Sequence, residues 1–219
     1  MEELNKKYNT EYTNRLLKSE HIFWELYESC NNNFIYGCGS YLFDGATYKY
    51  EASMYTKQEL LYNKVKTAEH VLEIGTYMGH SLLIMLLSNP ALKITCIDID
   101  ATFTGPAVKL LNMYFNNAIT FLHMDSLTGL NSLASQGQSF DFFHIDGDHN
   151  DSLISSEFNM LWPLNKGPTL KVIFDDEETM RRLQINICRT YTVLQSIHPG
   201  CRWSNAYYEI KSNSSSASL

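Results

Sequence analysis

The chain has little positive charge and contains no basic run: its 219 residues carry a formal net charge of −7 at pH 7. Binding to a nucleic-acid backbone requires clustered lysine and arginine, so nucleic acid is not expected as a partner. Long apolar runs are missing as well. The longest, "SLLIMLLSNPAL", is too short to span a bilayer and is interrupted by Asn-Pro, so we expect no membrane segment.

Cysteine is scarce, and its spacing is uninformative for metal or disulfide chemistry. The five cysteines are odd in number and show neither a CxxC pair nor zinc-like spacing. Reduced thiols in a reducing compartment follow from this pattern. The segment "MEELNKKYNTEYTNRLL" is too polar for a secretory signal peptide. We therefore expect a cytoplasmic protein.

The chain does contain a regular alternation of short apolar runs and helical segments. Five runs read as strands: "HVLEIG", "KITCIDID", "AITFLHMD", "SFDFFHID" and "TLKVIFDD". Buried strands separated by helices predict a parallel sheet covered on both faces. "YTVLQSI" and "AYYEIK", joined by a Pro/Gly turn, predict an antiparallel hairpin at the sheet edge. The expected fold class is α/β, a Rossmann-like doubly wound seven-stranded sheet, preceded by one or two N-terminal helices.

A glycine loop follows the first predicted strand. "VLEIGTYMGHS" places Glu73, Gly75 and Gly79 at the strand-to-helix turn, where glycine allows a sharp turn and close approach of a ligand. The ExGxxxG pattern differs from the dinucleotide pattern GxGxxG, which weakens the case for a nicotinamide-dependent oxidoreductase. Glu73 at the mouth would favour a positively charged ligand group.

Acidic residues also end the next two strands. Asp98 could accept hydrogen bonds from a ribose, and Asp125 from an adenine amino group. Together with Glu73, they would suit a nucleoside with a cationic, amino-acid-like tail, which describes S-adenosylmethionine. The alternative is that each acid only caps the helix that follows it.

From "SMYTKQELLYNKV" to "YYEIK" the chain resembles the class I S-adenosylmethionine-dependent methyltransferases, and within them the small metal-dependent O-methyltransferases of the catechol and caffeoyl-CoA type. The motif "VLEIGTYMGHSLLIM" carries the resemblance. We expect a cap segment at 1–53, a methyltransferase domain at 54–211 and, from its polar composition, a disordered tail at 212–219. The cofactor-binding residues that the resemblance implies are Met54, Thr56, Glu73, Gly75, Thr76, Tyr77, Gly79, Ser81, Asp98, Asp125, Ser126 and Asp146.

A second group of acids ends strands four and five. Asp146, Asp175 and Asp176 would repel one another unless a cation neutralises them, and oxygen ligands suit Mg²⁺ or Mn²⁺. Such an ion would lower the pKa of an acceptor hydroxyl. Asp175 and Asp176 could instead belong only to an acid-rich helix start.

His149, three residues after Asp146, is expected to take the proton from the acceptor, so Asp146 and His149 are the predicted catalytic residues. Catechol-type enzymes have a lysine at the position of His149. The "HIDGDH" form is more similar to the branch with sugar- and macrolide-modifying methyltransferases, which argues against a catechol-like substrate. His144 is expected to be a satisfied core or rim histidine.

The leading hypothesis is metal-assisted O-methylation of a small hydroxylated acceptor. A metal-independent N- or O-methyltransferase and a non-catalytic cofactor-binding module are the alternatives. The aromatic residues of the cap segment could form a lid over the acceptor, pack in the core or make a homodimer contact.

Overall fold

The fold is built on a seven-stranded mixed sheet. The structure is a computed structural model and describes residues 1–201 and 203–213. The strand order is β3-β2-β1-β4-β5-β7-β6. The strands are β1 His70–Ile74, β2 Lys93–Asp98, β3 Ile119–His123, β4 Phe142–Ile145, β5 Leu170–Phe174, β6 Tyr191–Ile197 and β7 Ala206–Ser212.

The strand order reverses between β1 and β4, which opens the crevice of the fold. The first five strands are parallel, and β7 runs antiparallel to both β5 and β6. Glu73 of β1 lies opposite Cys96 on one side and His144 on the other. The carboxyl ends of β1 and β4 therefore meet at the switch point, where ligands bind in open α/β sheets. The predicted fold class, including the C-terminal hairpin, is confirmed.

Nine α-helices lie within the described residues. They are α1 Glu2–Tyr8, α2 Glu11–Lys18, α3 Glu20–Ser29, α4 Tyr55–Lys64, α5 His80–Ser88, α6 Ala101–Tyr114, α7 Ser126–Ser135, α8 Asp151–Asn159 and α9 Arg181–Thr190. In this part of the chain, no helix has the length and apolar character needed to cross a membrane.

The N-terminal region contains three helices instead of the one or two expected. Asn9 adopts a left-handed conformation that ends α1, and the Thr10 side chain accepts a hydrogen bond from Thr13 N to cap α2. Such breaks depend on single polar residues, which a search for apolar periodicity passes over.

Two apolar clusters cover the two faces of the sheet. The N-terminal helices supply Leu16, Phe23 and Leu26 to the cluster that also contains Leu83 of α5 and Leu111 of α6. The second cluster packs α7, α8 and α9 against the other face. The N-terminal segment thus shares an apolar cluster with the helices of the main domain. The boundary at residue 53 stays a prediction from the sequence.

Residues 34–50, here called the lid segment, lie over the crevice without forming a helix. Tyr41, Phe43 and Tyr48 are buried, whereas Tyr36 is 81% exposed. Most of these aromatic residues are therefore core residues. At the other end of the chain, Ser212 belongs to β7, and the rest of the predicted tail from residue 214 lies outside the described residues.

Candidate functional site

Three adjoining cavities open at the carboxyl ends of the strands. The largest, of about 570 Å³, lies over β1, β2, β3 and β4. A second, of about 310 Å³, lies between the lid segment and the ends of β4 and β5. A third, of about 200 Å³, lies between the lid segment and the glycine loop. Asp146 and Cys38 line all three, so the cavities meet at the end of β4.

Gly75 brings the glycine loop against the end of β4. Its φ is +78°, and a Cβ atom there would lie 2.2 Å from the backbone oxygen of Asp146. No other residue type fits that space. Gly79 has a φ of +75° at the start of α5, where a Cβ would meet Ala107 at 3.1 Å. Both glycines are required by the backbone, and Gly75 also lines the largest cavity.

Asp98 organises the loop from the neighbouring strand. Its Oδ2 accepts hydrogen bonds from the backbone N–H groups of Thr76 and Tyr77, both at 2.9 Å, and from the Thr104 hydroxyl at 2.7 Å. Its Oδ1 accepts one from Asp100 N at 2.9 Å. Asp98 lines the largest cavity, but both of its carboxylate oxygens already accept hydrogen bonds from protein groups.

Glu73 is not at the mouth of the crevice, where the sequence had placed it. It is fully buried, with the Thr76 hydroxyl donating to Oε2 at 2.7 Å and His144 Nδ1 2.9 Å from Oε1. The Tyr41 hydroxyl lies 2.8 Å from the other ring nitrogen of His144. The expectation that His144 is a satisfied core histidine is confirmed. Glu73 supports the loop through this network and lines none of the three cavities.

The remaining predicted cofactor residues divide between the cavities. Thr76, Tyr77, Asp125 and Ser126 line the largest one. Asp125 also caps α7 by accepting from Thr128 N at 2.9 Å, so the capping alternative holds for it. The others lie elsewhere: Ser81 lines the third cavity, Met54 the second, and Thr56 is exposed on α4.

Glu157 is a cavity residue that sequence analysis missed. It lines the largest cavity, is 1% exposed, and its Oε2 has no hydrogen-bond partner. Burial raises the pKa of Glu157 to about 6, against a smaller lowering by Ser126. A signal was present in the sequence, since Glu157 shares the apolar face of α8 with Ile154 and Phe158.

His149 faces the second and third cavities and has a carboxylate partner. Its Nδ1 lies 3.4 Å from Asp176 Oδ2, and its side chain is 46% exposed. Asp176 holds a left-handed conformation with φ 49°, which turns the chain back after β5. Asn150 next to His149 caps α8. The arrangement leaves the second ring nitrogen of His149 for an incoming ligand.

The three predicted metal-binding carboxylates line one cavity together with a lysine, which pairs with Asp175. Lys57 Nζ lies 2.9 Å from both carboxylate oxygens of Asp175, with Lys57 2% and Asp175 8% exposed. Burial acts to lower the pKa of Lys57, but Asp175 and Asp146 outweigh it and raise that pKa. Burial, followed by the charge of Asp175, raises the pKa of both Asp146 and Asp176.

This arrangement does not fit a divalent ion bound by Asp146, Asp175 and Asp176. Both oxygens of Asp175 are engaged by an ammonium group, which a metal ion would have to displace. Across residues 1–201 and 203–213, no group of three or more His, Cys, Asp and Glu side chains is placed to hold a metal ion. The structure therefore gives no support to the expected three-carboxylate metal site.

Comparison with known proteins places these features in a family. The O-methyltransferase family model matches residues 51–176, from the entry to α4 to the residue after Asp175. The chain belongs to the O-methyltransferase family. The match spans the glycine loop, both strand-end acid groups and His149.

Curated relatives of this family member match over a shorter stretch. A caffeoyl-CoA O-methyltransferase-like protein of Arabidopsis thaliana is 33% identical over 87 residues, which is 39% of this chain and 38% of the relative. Tapetum-specific methyltransferase 1 of the same plant is 31% identical over 88 residues, again 39% and 38%. The chain thus matches about two fifths of the length of these relatives.

Solved structures share the fold at low identity. An O-methyltransferase from Bacillus cereus in complex with SAH has a TM-score of 0.66 at 15% identity, covering 87% of this chain and 91% of that one. TomG, an O-methyltransferase from Streptomyces achromogenes in complex with SAM, has a TM-score of 0.59 at 18% identity, covering 70% and 79%.

Proposed function

We propose that this protein transfers a methyl group from S-adenosylmethionine to a hydroxyl group of a small-molecule acceptor. The observation that carries the proposal is the meeting of two cavities at Asp146, with His149 lining the smaller of the two. The larger cavity has the walls expected for the cofactor, and the smaller one offers room for an acceptor. Membership in the O-methyltransferase family and the SAM- and SAH-bound structural neighbours support the choice of cofactor.

The cofactor is proposed to lie in the largest cavity, over the glycine loop. Backbone groups of Gly75, Thr76 and Tyr77 would border its amino-acid portion. Asp98 and Asp100 both line the wall after β2, where a ribose would lie. The adenine end would meet Ser126 and the unpaired oxygen of Glu157, which can accept from an amino group.

The chemical step requires a base beside the acceptor oxygen. That oxygen forms a bond to the methyl carbon while the carbon–sulfur bond breaks, leaving a neutral thioether and releasing the hydroxyl proton. His149 is proposed to receive the proton at the ring nitrogen that faces away from Asp176, and Asp176 would hold the imidazole in place and stabilise its charged form. Asp146 would help to orient the acceptor where the cavities meet.

The proposal omits the divalent ion expected from the sequence. Methyl transfer needs alignment of the acceptor oxygen with the methyl group and removal of one proton. His149 can remove that proton. Because Lys57 already forms hydrogen bonds with both carboxylate oxygens of Asp175, no step is assigned to a metal. Cytoplasmic location, a homodimer and the exclusion of nucleic acid and membranes stay predictions from the sequence.

The test is methyl transfer from S-adenosylmethionine, labelled in its methyl group, to matched panels of phenols, aliphatic alcohols and amines. We expect label in the ether of at least one hydroxyl acceptor. Label only in amines would replace the proposal with N-methylation. Cofactor binding with no transfer to any acceptor would favour the non-catalytic alternative.

A further inference from the structure

We propose that Lys57 permanently supplies the positive charge at the carboxylates of Asp146, Asp175 and Asp176, so that this O-methyltransferase family member works without a divalent metal. The inference extends the proposed function. Only the part that concerns catalysis without a metal rests on that function. The placement of the lysine can be tested separately.

The first support is the geometry of the ion pair. Lys57 Nζ is equidistant from the two oxygens of Asp175, at 2.9 Å each, and both side chains are buried. Charge-assisted hydrogen bonds of this kind are strong, and a buried charge without a partner is costly. A metal ion that used Asp175 as a ligand would leave the ammonium of Lys57 buried without its partner.

The second support is the set of contacts that hold Lys57 in place. Lys57 lies in the first turn of α4, and its Nζ is 4.5 Å from the centre of the Tyr41 ring, a cation–π contact. The Asn205 side chain donates to the Lys57 backbone oxygen at 3.2 Å and to the Tyr41 hydroxyl at 3.1 Å. Helix α4, the lid segment and the residue before β7 thus all contribute contacts at this lysine.

The third support is the charge of the surroundings. Lys57, Asp146, Asp175 and Asp176 line the same cavity, and His149 lies beside Asp176. Lys57 gives this cavity a cation of its own, paired with Asp175. Its charge offsets part of the repulsion among the strand-end acids that suggested a bound ion.

The experiment measures Mn²⁺ binding to the full chain, after removal of metals with EDTA and without any methyl donor. Calorimetry and the electron paramagnetic resonance signal of free Mn²⁺ report binding independently of activity. We expect no stoichiometric binding by the wild type. Lys57→Met keeps most of the length of the side chain but removes its charge, and we expect it to gain one Mn²⁺ per chain at the uncovered carboxylates.

Two results would overturn the inference. One is binding of one Mn²⁺ by the wild type that Asp175→Ala abolishes, since Asp175 would then be a metal ligand. The other is a folded Lys57→Met variant that gains no site. If Lys57→Met fails to fold, Lys57→Met/Asp175→Asn serves in its place, because an amide oxygen is also a Mn²⁺ ligand and no charge is left unpaired at that pair.

The consequence for catalysis is measured separately, as wild-type methyl transfer with and without EDTA. We expect no change in rate, and a loss restored by Mg²⁺ or Mn²⁺ would overturn the inference. Lack of transfer under every condition would count against the proposed function, whereas the Mn²⁺ titrations would still decide the role of Lys57.

Discussion

His149 and His198 are two partly exposed histidines that each lie beside a carboxylate, and only the first faces the proposed acceptor cavity. His149 is 46% exposed next to Asp176, and His198 is 39% exposed and 2.5 Å from Glu177. If His149 is the base, His149→Gln should lower kcat by about 10²- to 10⁴-fold and leave the Kd for S-adenosylmethionine nearly unchanged.

His198→Gln is the matched control, since it removes a similar pair outside the three cavities. Its kcat should stay within about twofold of the wild type, because exposed ion pairs contribute little. Steady-state kinetics and a cofactor titration on both variants provide the comparison. Equal rates for His149→Gln and the wild type would remove His149 as the base.

Glu157 allows a prediction about pH. Its folded-state pKa of about 6 lies above the ordinary value of 4.5, so the folded protein binds a proton more tightly than the unfolded chain. Stability from this group is therefore greatest below pH 4.5 and falls as the pH rises to 6. The penalty above pH 6 is about 2 kcal/mol, from about 1.4 kcal/mol per pKa unit.

Glu157→Gln removes this charge, so it should raise the free energy of unfolding at pH 7.5 by up to about 2 kcal/mol and change it little at pH 4. Urea unfolding at both pH values measures the difference. Glu28→Gln, at an exposed position of α3, is the control and should have no effect beyond about 0.5 kcal/mol. An equal change at both pH values would contradict the assignment.

At this scale, sequence analysis predicted the residues that end strands and missed those that reach the site from elsewhere. Asp146 and His149 follow an apolar run, so their place at the crevice could be predicted. Lys57 looks like an ordinary polar residue of a helix, and its partner is 118 positions away. Glu73 was placed wrongly because β1 alone does not show that His144, on the neighbouring strand, covers its side chain.

At the scale of elements, the glycine loop and the end of β4 can lie in contact because Gly75 has no side chain. Gly75→Ala combines the strain of a positive φ with a Cβ 2.2 Å from a backbone oxygen. Gly137→Ala is the control, because Gly137 has a φ of +67° with nothing within 4 Å of a Cβ. The control should lose about 1 kcal/mol of stability, from strain alone.

Gly75→Ala should lose at least about 2 kcal/mol more than the control, because the backbone of β4 must also shift. It should also bind S-adenosylmethionine much more weakly, whereas Gly137→Ala should bind it normally. Chemical unfolding and calorimetry give both quantities. Similar losses in the two variants would show that the close approach of loop and strand is unimportant.

The lid segment is fastened to the glycine loop through Tyr77, whose hydroxyl accepts a hydrogen bond from Ile35 N at 2.7 Å. Tyr77→Phe removes that acceptor, so amide exchange across residues 34–40 should become faster while global stability falls by about 1 kcal/mol or less. Tyr36→Phe, at an 81% exposed ring in the same segment, should leave exchange unchanged. Unchanged exchange in Tyr77→Phe would show that other contacts hold the segment.

The elements themselves were largely predictable, because the apolar strands and the helices between them form a strong pattern. The parallel order and the edge hairpin followed from it. The three N-terminal helices and the path of the lid segment did not, since they depend on the left-handed turn at Asn9 and on long-range contacts such as Tyr41 with His144.

At the scale of the whole molecule, the topology brings together chemistry that is scattered along the chain. The glycine loop, the acids at the ends of β2 and β3, and the ends of β4 and β5 lie at one edge of the sheet because the first five strands are parallel. The reversal of strand order between β1 and β4 opens the crevice there. The lid segment and Lys57 approach the same edge from the N-terminal side. The central claim is that this edge binds S-adenosylmethionine, with no metal needed.

The most direct measurement is a calorimetric titration of the wild-type chain with S-adenosylmethionine in EDTA. We expect one saturable site per chain, the same Kd when Mg²⁺ replaces EDTA, and a rise in Tm with cofactor concentration. A folded protein that shows no saturable binding in EDTA, or that binds the cofactor only when Mg²⁺ is present, would contradict the central claim.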